Sequence, residues 1–180
     1  MLRDKSLIPL SRQHQHALAL CVRIDRAEKA GELHAESWHA EIADIFEGEI
    51  RHHFDAEEKD VFPACAKFPE LRGLVQELLV EHGELRSYFE QAKQGAMNRE
   101  SLVAFGEKLS GHIRKEERRL FERLQQLAGA EELAAMGECV ADHLREVADS
   151  CIVPDTATRL RSKCQVALLP PTCPSPGTTS

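Results

Sequence analysis

Clustered positive charge is the first thing this sequence lacks. Its 23 lysines and arginines are outnumbered by 30 aspartates and glutamates, giving a formal net charge of -7 over 180 residues. They never gather into a patch that could track a phosphate backbone, so nucleic acid is not an expected partner. Long apolar runs are missing too. Nowhere do about 18 apolar residues follow one another, and the N-terminal stretch MLRDKSLIPLSRQH has no apolar core of the kind a signal peptide needs. No membrane association is expected, and the expected compartment is the cytoplasm. The six cysteines (Cys21, Cys65, Cys139, Cys151, Cys164, Cys173) are scattered, with no Cys-x-x-Cys spacing, which argues against a disulfide framework and against a zinc ribbon. They read as small buried hydrophobes or surface thiols. Alternation of apolar and polar residues with period two is absent over any useful length, and with it any expectation of strands.

What is present is helical periodicity. A first apolar stripe runs through Leu7, Leu10, Ala17, Leu18, Cys21 and Ile24 and ends near Gly31. A second runs from Trp38 through Ile42, Ile45, Phe46 and Ile50 to Val61, with Ser37 as its predicted cap and Pro63 as its predicted stop. A third carries Leu74, Val75, Leu78, Leu85 and Phe89 up to Gly95. A fourth, capped by Asn98 or Ser101, carries Leu102, Phe105, Leu109, Ile113, Leu120 and Leu124 up to Gly129. The links between them are each under about ten residues, as antiparallel helical neighbours require. The expected fold is all-α: an up-down-up-down antiparallel four-helix bundle over residues 1–128. An additional C-terminal helix is expected over 129–153, with Leu133, Met136, Val140, Leu144 and Val147 as its buried stripe. The Pro-, Ser- and Thr-containing segment 154–180, ending LLPPTCPSPGTTS, is expected to be a disordered tail.

One pattern occurs twice. His53 and Glu57 stand four residues apart on the second segment, and His112 and Glu116 on the fourth, so each pair shares a helix face. A second glutamate follows each carboxylate, and Phe62 and Phe121 each stand nine residues after their histidine. The preceding segments match as well: LSRQHQHAL and LLVEHGEL place a leucine four residues before His14 and His82 and an apolar residue three after. The chain reads as a duplicated helix pair. With a rise of about 1.5 Å per residue, the distances of the four histidines from their connecting turns agree to about 3 Å, so the four meet at one level. Four imidazoles and two carboxylates buried without partners would be very costly. Metal resolves the conflict: imidazole with carboxylate suits iron, manganese or zinc, and six ligands fit two ions sharing bridging carboxylates better than one tetrahedral zinc.

His14, His53 with Glu57, His82, and His112 with Glu116 resemble the ligand set of the hemerythrin-like (HHE cation-binding) family over about residues 7 to 125. The resemblance implies a non-haem di-iron centre of two iron ions inside the bundle. His14, His53, His82 and His112 would be terminal ligands, and Glu57 and Glu116 bridging carboxylates. Oxygen-carrying members bring one more histidine from the third helix, whereas Leu78 and Arg86 occupy the two positions one turn from His82. Water, or a carboxylate such as Glu49, Glu58 or Glu81, is expected at the vacant position, although Glu49, Glu58, Glu81 and Glu117 also read as solvated helix charges. His16, His34, His39, His52 and His143 are expected to be non-ligands. The expected function is therefore to bind or sense a small diatomic or peroxide ligand, or to handle iron, rather than to carry oxygen reversibly. The alternative is a di-iron enzyme acting on peroxide or repairing damaged iron centres, with Tyr88 or a glutamate as acid-base group. The sequence points to no particular protein partner.

Overall fold

The computed structural model describes residues 2–145. These form helices joined by short turns, with no strand among the described residues. The first helix, α1 (Ile8–Lys29), is led in by a 3-10 turn at Lys5–Leu7, where the Asp4 carboxylate accepts from the Ser6 amide. Pro9 sits in its first turn, where a missing N–H costs nothing. The helix ends at Gly31, whose φ of 71° is the left-handed conformation glycine adopts freely, and the Glu32 amide reaches back to the Ala27 carbonyl.

The second helix of the bundle is segmented. It comprises α2 (His39–Ile45), a π turn at Phe46–Ile50, α3 (Arg51–Ala56), a second π turn at Glu57–Val61, and α4 (Phe62–Ala66). Two sequence expectations are corrected here. Ser37 does not cap this helix: it lies in a separate 3-10 turn, Ala35–Ser37, and the start has no side-chain cap. Nor does Pro63 end it, because the proline directly follows the second π turn. There the Phe62 amide bonds back to the Glu57 carbonyl, five residues away, and Pro63 occupies the first turn of α4, where a proline is tolerated.

The third helix is α5 (Pro69–Lys93), closed by Gly95 (φ 67°) with the Ala96 amide returning to the Gln91 carbonyl, the same device that closes α1. The fourth comprises α6 (Arg99–Lys115), a third π turn at Glu116–Phe121, and α7 (Glu122–Leu127). Asn98 caps α6, and Ser101 answers it reciprocally, so the two candidates act together. A fifth helix, α8 (Ala130–Leu144), follows Gly129. The expected continuation of this helix to residue 153 and the expected tail at 154–180 lie outside the described residues.

The core is divided in two. One apolar cluster, including Leu20, Ile24, Trp38, Ile42, Phe89, Leu102 and Phe105, fills the end closed by Gly31 and Gly95. The other, including Leu7, Leu10, Val61, Phe62, Leu78, Leu120 and Phe121, fills the opposite end. The stripe of α8 (Leu133, Met136, Val140, Leu144) joins this second cluster. Between the two lie the buried polar side chains His14, His53, Glu57, His82, His112 and Glu116.

Candidate metal centre

The six residues singled out by the repeated pattern come together. Each is at most 4 % exposed, and Glu57, His82 and Glu116 are fully buried. They form two sets of possible metal ligands, His14, His53, Glu57 and Glu116 on one side, and His82, His112, Glu57 and Glu116 on the other. Within each set the donor atoms lie within 4.8 Å of one another.

The carboxylates straddle both sets. Glu57 turns Oε1 to the first pair, 3.4 Å from His53 Nε2, and Oε2 to the second, 3.4 Å from His82 Nε2. Glu116 turns Oε2 to His14 Nε2 at 3.2 Å and Oε1 to His112 Nε2 at 3.2 Å. None of these four buried oxygens has a hydrogen-bond partner. Such groups are rare in folded proteins, since each unsatisfied one costs about 1–3 kcal/mol.

The imidazoles pose the same problem from the other direction. His14 Nε2 faces His53 Nε2 at 2.9 Å, and His82 Nε2 faces His112 Nε2 at 3.1 Å. The outer nitrogens are all engaged: Nδ1–H of His14 donates to Glu117 (2.7 Å), of His53 to Gln13 Oε1 (2.9 Å), of His82 to Glu58 (2.7 Å) and of His112 to Glu81 (3.0 Å). A proton held on Nδ1 leaves the Nε2 lone pair pointing inward, so lone pairs meet head-on in each pair unless a cation or a proton lies between them. Four inward imidazole nitrogens and four orphaned carboxylate oxygens make a buried donor set that could hold metal. The nitrogen–oxygen donor set is that of iron, manganese or zinc.

Without metal, protons take that role. Burial alone would lower His14, but the Glu116 and Glu117 carboxylates beside it, with the charge of Glu57, push it up to about 9. His112 rises to about 10 against its burial, through the Glu116 carboxylate facing it, then Glu81 and Glu57. His82 is raised against the same penalty by Glu57 and Glu58. Burial also opposes ionisation of Glu57 and Glu116, as does their mutual repulsion for Glu57. The facing imidazoles win, and both carboxylates are held below the usual range.

Two of the three π turns begin at the two carboxylates themselves, Glu57 and Glu116. Nine residues of straight α-helix turn through about 900°, which would leave Phe62 and Phe121 about half a turn away from His53 and His112. A π turn inserts one residue and removes about 100° of that rotation, bringing both rings to the inner side. Phe62 then lies 5.3 Å from the His82 ring and Phe121 stacks 5.6 Å from His14.

Four outer residues were misread or missed in the sequence. Glu58, Glu81 and Glu117 are not merely solvated helix charges: each accepts from a histidine Nδ1. Glu58 and Glu81 are held at about 2, first by the hydrogen bonds from His82 and His112, and Glu117 reaches about 2 against its own burial through His14 and Ser11. Gln13 was not singled out at all. The signal was positional: Glu58 and Glu117 directly follow the two repeated glutamates, and Gln13 and Glu81 directly precede His14 and His82. Glu49, Glu58 and Glu81 do not belong to the two candidate ligand sets: Glu58 and Glu81 are engaged as described, and Glu49 pairs with His16 (3.0 Å). Leu78 is fully buried in the second apolar cluster, while Arg86 turns outward to Glu58 (2.7 Å) and over the Phe54 ring. Of the other histidines, His39 bonds the Met97 carbonyl and His143 bonds Asp60 (2.7 Å), and neither belongs to the candidate metal sets.

Beside the centre is a small cavity lined by Gln13, His14, His53, His112 and Glu116 together with Ala17, Ile50, Phe54, Leu109 and Ile113. It leaves about 10 Å³ for the centre of a water-sized molecule. Among the described residues, no helix is long and apolar enough to cross a membrane.

No curated protein and no solved structure matches the chain. A family model described as the hemerythrin HHE cation binding domain matches residues 9–124, which spans α1 to α7 and all six converging side chains. The chain belongs to the hemerythrin HHE cation-binding domain family.

Proposed function

We propose that this chain is a non-haem di-iron protein whose metal pair meets a small ligand: dioxygen, peroxide or nitric oxide. His14 and His53 hold one iron, His82 and His112 hold the other, and Glu57 and Glu116 bridge them. The observation that carries the reading is the division of each buried carboxylate, one oxygen toward each histidine pair, with no hydrogen bond to any of the four oxygens. Iron in such a donor set supplies an exchangeable coordination position and one-electron redox chemistry.

The residues around it select the ligand. The cavity leaves room for about one water-sized molecule, too little for an organic substrate. The carboxylates of Glu117, Glu58 and Glu81 fix His14, His82 and His112 with Nδ1 protonated and Nε2 free to ligate, and Gln13 Oε1 accepts from Nδ1 of His53. Leu78, buried where oxygen carriers would bring a further histidine, leaves the centre one nitrogen short, so lasting oxygen carriage is not part of the reading.

The test is metal content of protein purified without oxygen, with its optical spectrum before and after exposure to nitric oxide. About two irons per chain and a spectral change on adding nitric oxide are expected. A single zinc, with no second ion taken up on reconstitution, would overturn the proposal.

A further inference from the structure

The duplication that builds the centre is broken at one place among the outer acceptors, and the break makes the two metal positions unequal. His14 and His82 are equivalent: each donates Nδ1–H to a carboxylate at 2.7 Å, Glu117 and Glu58 respectively. His53 and His112 are the other equivalent pair, but His53 donates to the neutral amide of Gln13, whereas His112 donates to the carboxylate of Glu81. Lys115 lies 2.6 Å from Oε1 of Glu81, which leaves Oε2 directed at the imidazole.

Two consequences follow from this single difference. A carboxylate acceptor makes its imidazole a more basic ligand than an amide does, and changes at such outer partners typically alter metal affinity about 10–100-fold. The second concerns the empty site. A carboxylate can only accept, so His82 and His112 are both fixed with their Nε2 lone pairs opposed at 3.1 Å, and only an added cation, metal or proton, relieves that opposition. An amide can present either its oxygen or its NH2 group. With Gln13 turned, His53 carries its proton on Nε2 and donates it across 2.9 Å to His14, so the first histidine pair is satisfied with neither metal nor an added proton, and metal binding must undo that bond.

We propose, on the di-iron reading above, that Gln13 and Glu81 are positioning residues that set the order of loading. The His82–His112 position fills first and holds its ion tightly. The His14–His53 position fills second and holds the more easily lost ion.

The test is anaerobic titration of metal-free protein with Fe(II) against a competing chelator, and in parallel with Co(II), whose d–d absorption counts each ion. Two steps are expected, the first about 10–100-fold tighter than the second. His112→Ala should abolish the tight step, and His53→Ala the weak one. Glu81→Gln should weaken the first step by that factor and bring the two together. Gln13→Glu should strengthen the second step by the same factor, a gain that misfolding cannot produce. Two ions taken up at one affinity or in one cooperative step, the reverse order, or a Gln13→Glu protein with both steps unmoved would overturn the inference while leaving the di-iron reading intact. No uptake of either metal by the unaltered protein would overturn the reading itself.

Discussion

Metal-free protein should lose stability as the pH rises from 6.5 to 9, and the size of the loss can be worked from the buried cluster. His14 is raised from 6.5 to about 9, and His112 from 6.5 to about 10. A folded-state value above the unfolded one means that the folded protein holds its proton more tightly, so the contribution to stability is complete below pH 6.5 and fades as the pH climbs through 9 and 10. Between pH 6.5 and pH 9 each imidazole forfeits roughly 3 kcal/mol, at about 1.4 kcal/mol per pH unit over the range where only the folded form is protonated. Both rely on Glu116, so the two losses overlap and a total near 3 to 5 kcal/mol is expected. For a chain of this size that is on the order of 10 °C in the thermal midpoint. Stopping at pH 9 separates the histidines from the buried thiols of Cys21 and Cys65, which are pushed from 9 up to about 12 by burial and penalise the folded state only at higher pH. The assay is thermal or guanidinium unfolding of chelator-treated protein across this range. Glu116→Gln should flatten the profile, since its carboxylate raises both histidines. Metal-loaded protein should also lack this fall, because its imidazoles are already unprotonated at Nε2, and should instead lose metal toward acid as protons compete for the ligands. A metal-free midpoint that is level or rises between pH 6.5 and 9 would refute the account of the empty site.

Further outcomes follow from the packing and the ligand geometry. His53→Ala or His112→Ala should cost at least one iron per chain by elemental analysis, whereas His39→Ala, which loses only a bond to the Met97 carbonyl, should retain both. Arg86→His should leave iron content unchanged, because this position turns away from the centre toward Glu58; a gain in bound iron would show that the outward orientation is wrong. Gly137→Ala should lower the thermal midpoint, since an added Cβ would stand 2.5 Å from Ser6 Cβ and 2.9 Å from the Ser6 backbone. That overpacking, about 1–3 kcal/mol, exceeds the helix propensity gained, about 1 kcal/mol. Gly73→Ala in α5, with nothing within 4 Å, should raise the midpoint instead, and the opposite signs of the two changes are the check.

The two halves of the centre come from two copies of one arrangement. The turns that close α1 and α5 use the same left-handed glycine, two of the π turns begin at equivalent glutamates, and the outer acceptors occupy equivalent positions. Small departures from that symmetry, Gln13 against Glu81 above all, are where the surroundings of the two histidine pairs differ.

The helical architecture and the six converging residues were legible in the sequence because both rest on short-range periodicity. Apolar stripes at helical spacing, closing glycines at 31 and 95, and the twice-occurring histidine and glutamate four residues apart are all properties of a few consecutive turns. The level at which the histidines meet followed from counting residues to the turns, because helical rise is nearly constant. Tertiary structure decided what depends on which helix faces which. Whether Glu58, Glu81 and Glu117 are solvated or accept from a histidine is settled by a neighbouring helix, and nothing in their own helices reveals it. Pro63 read as a stop because a proline in regular α-helix clashes with the preceding turn; the π turn that accommodates it has no local sequence signal. The same π turn carries Phe62 round to the His82 ring, a rotation that spacing on a regular helix would have placed on the other side. Sequence thus determined which six side chains converge, and the packing of four helices determined how each is oriented, through contacts between residues that are distant in the chain.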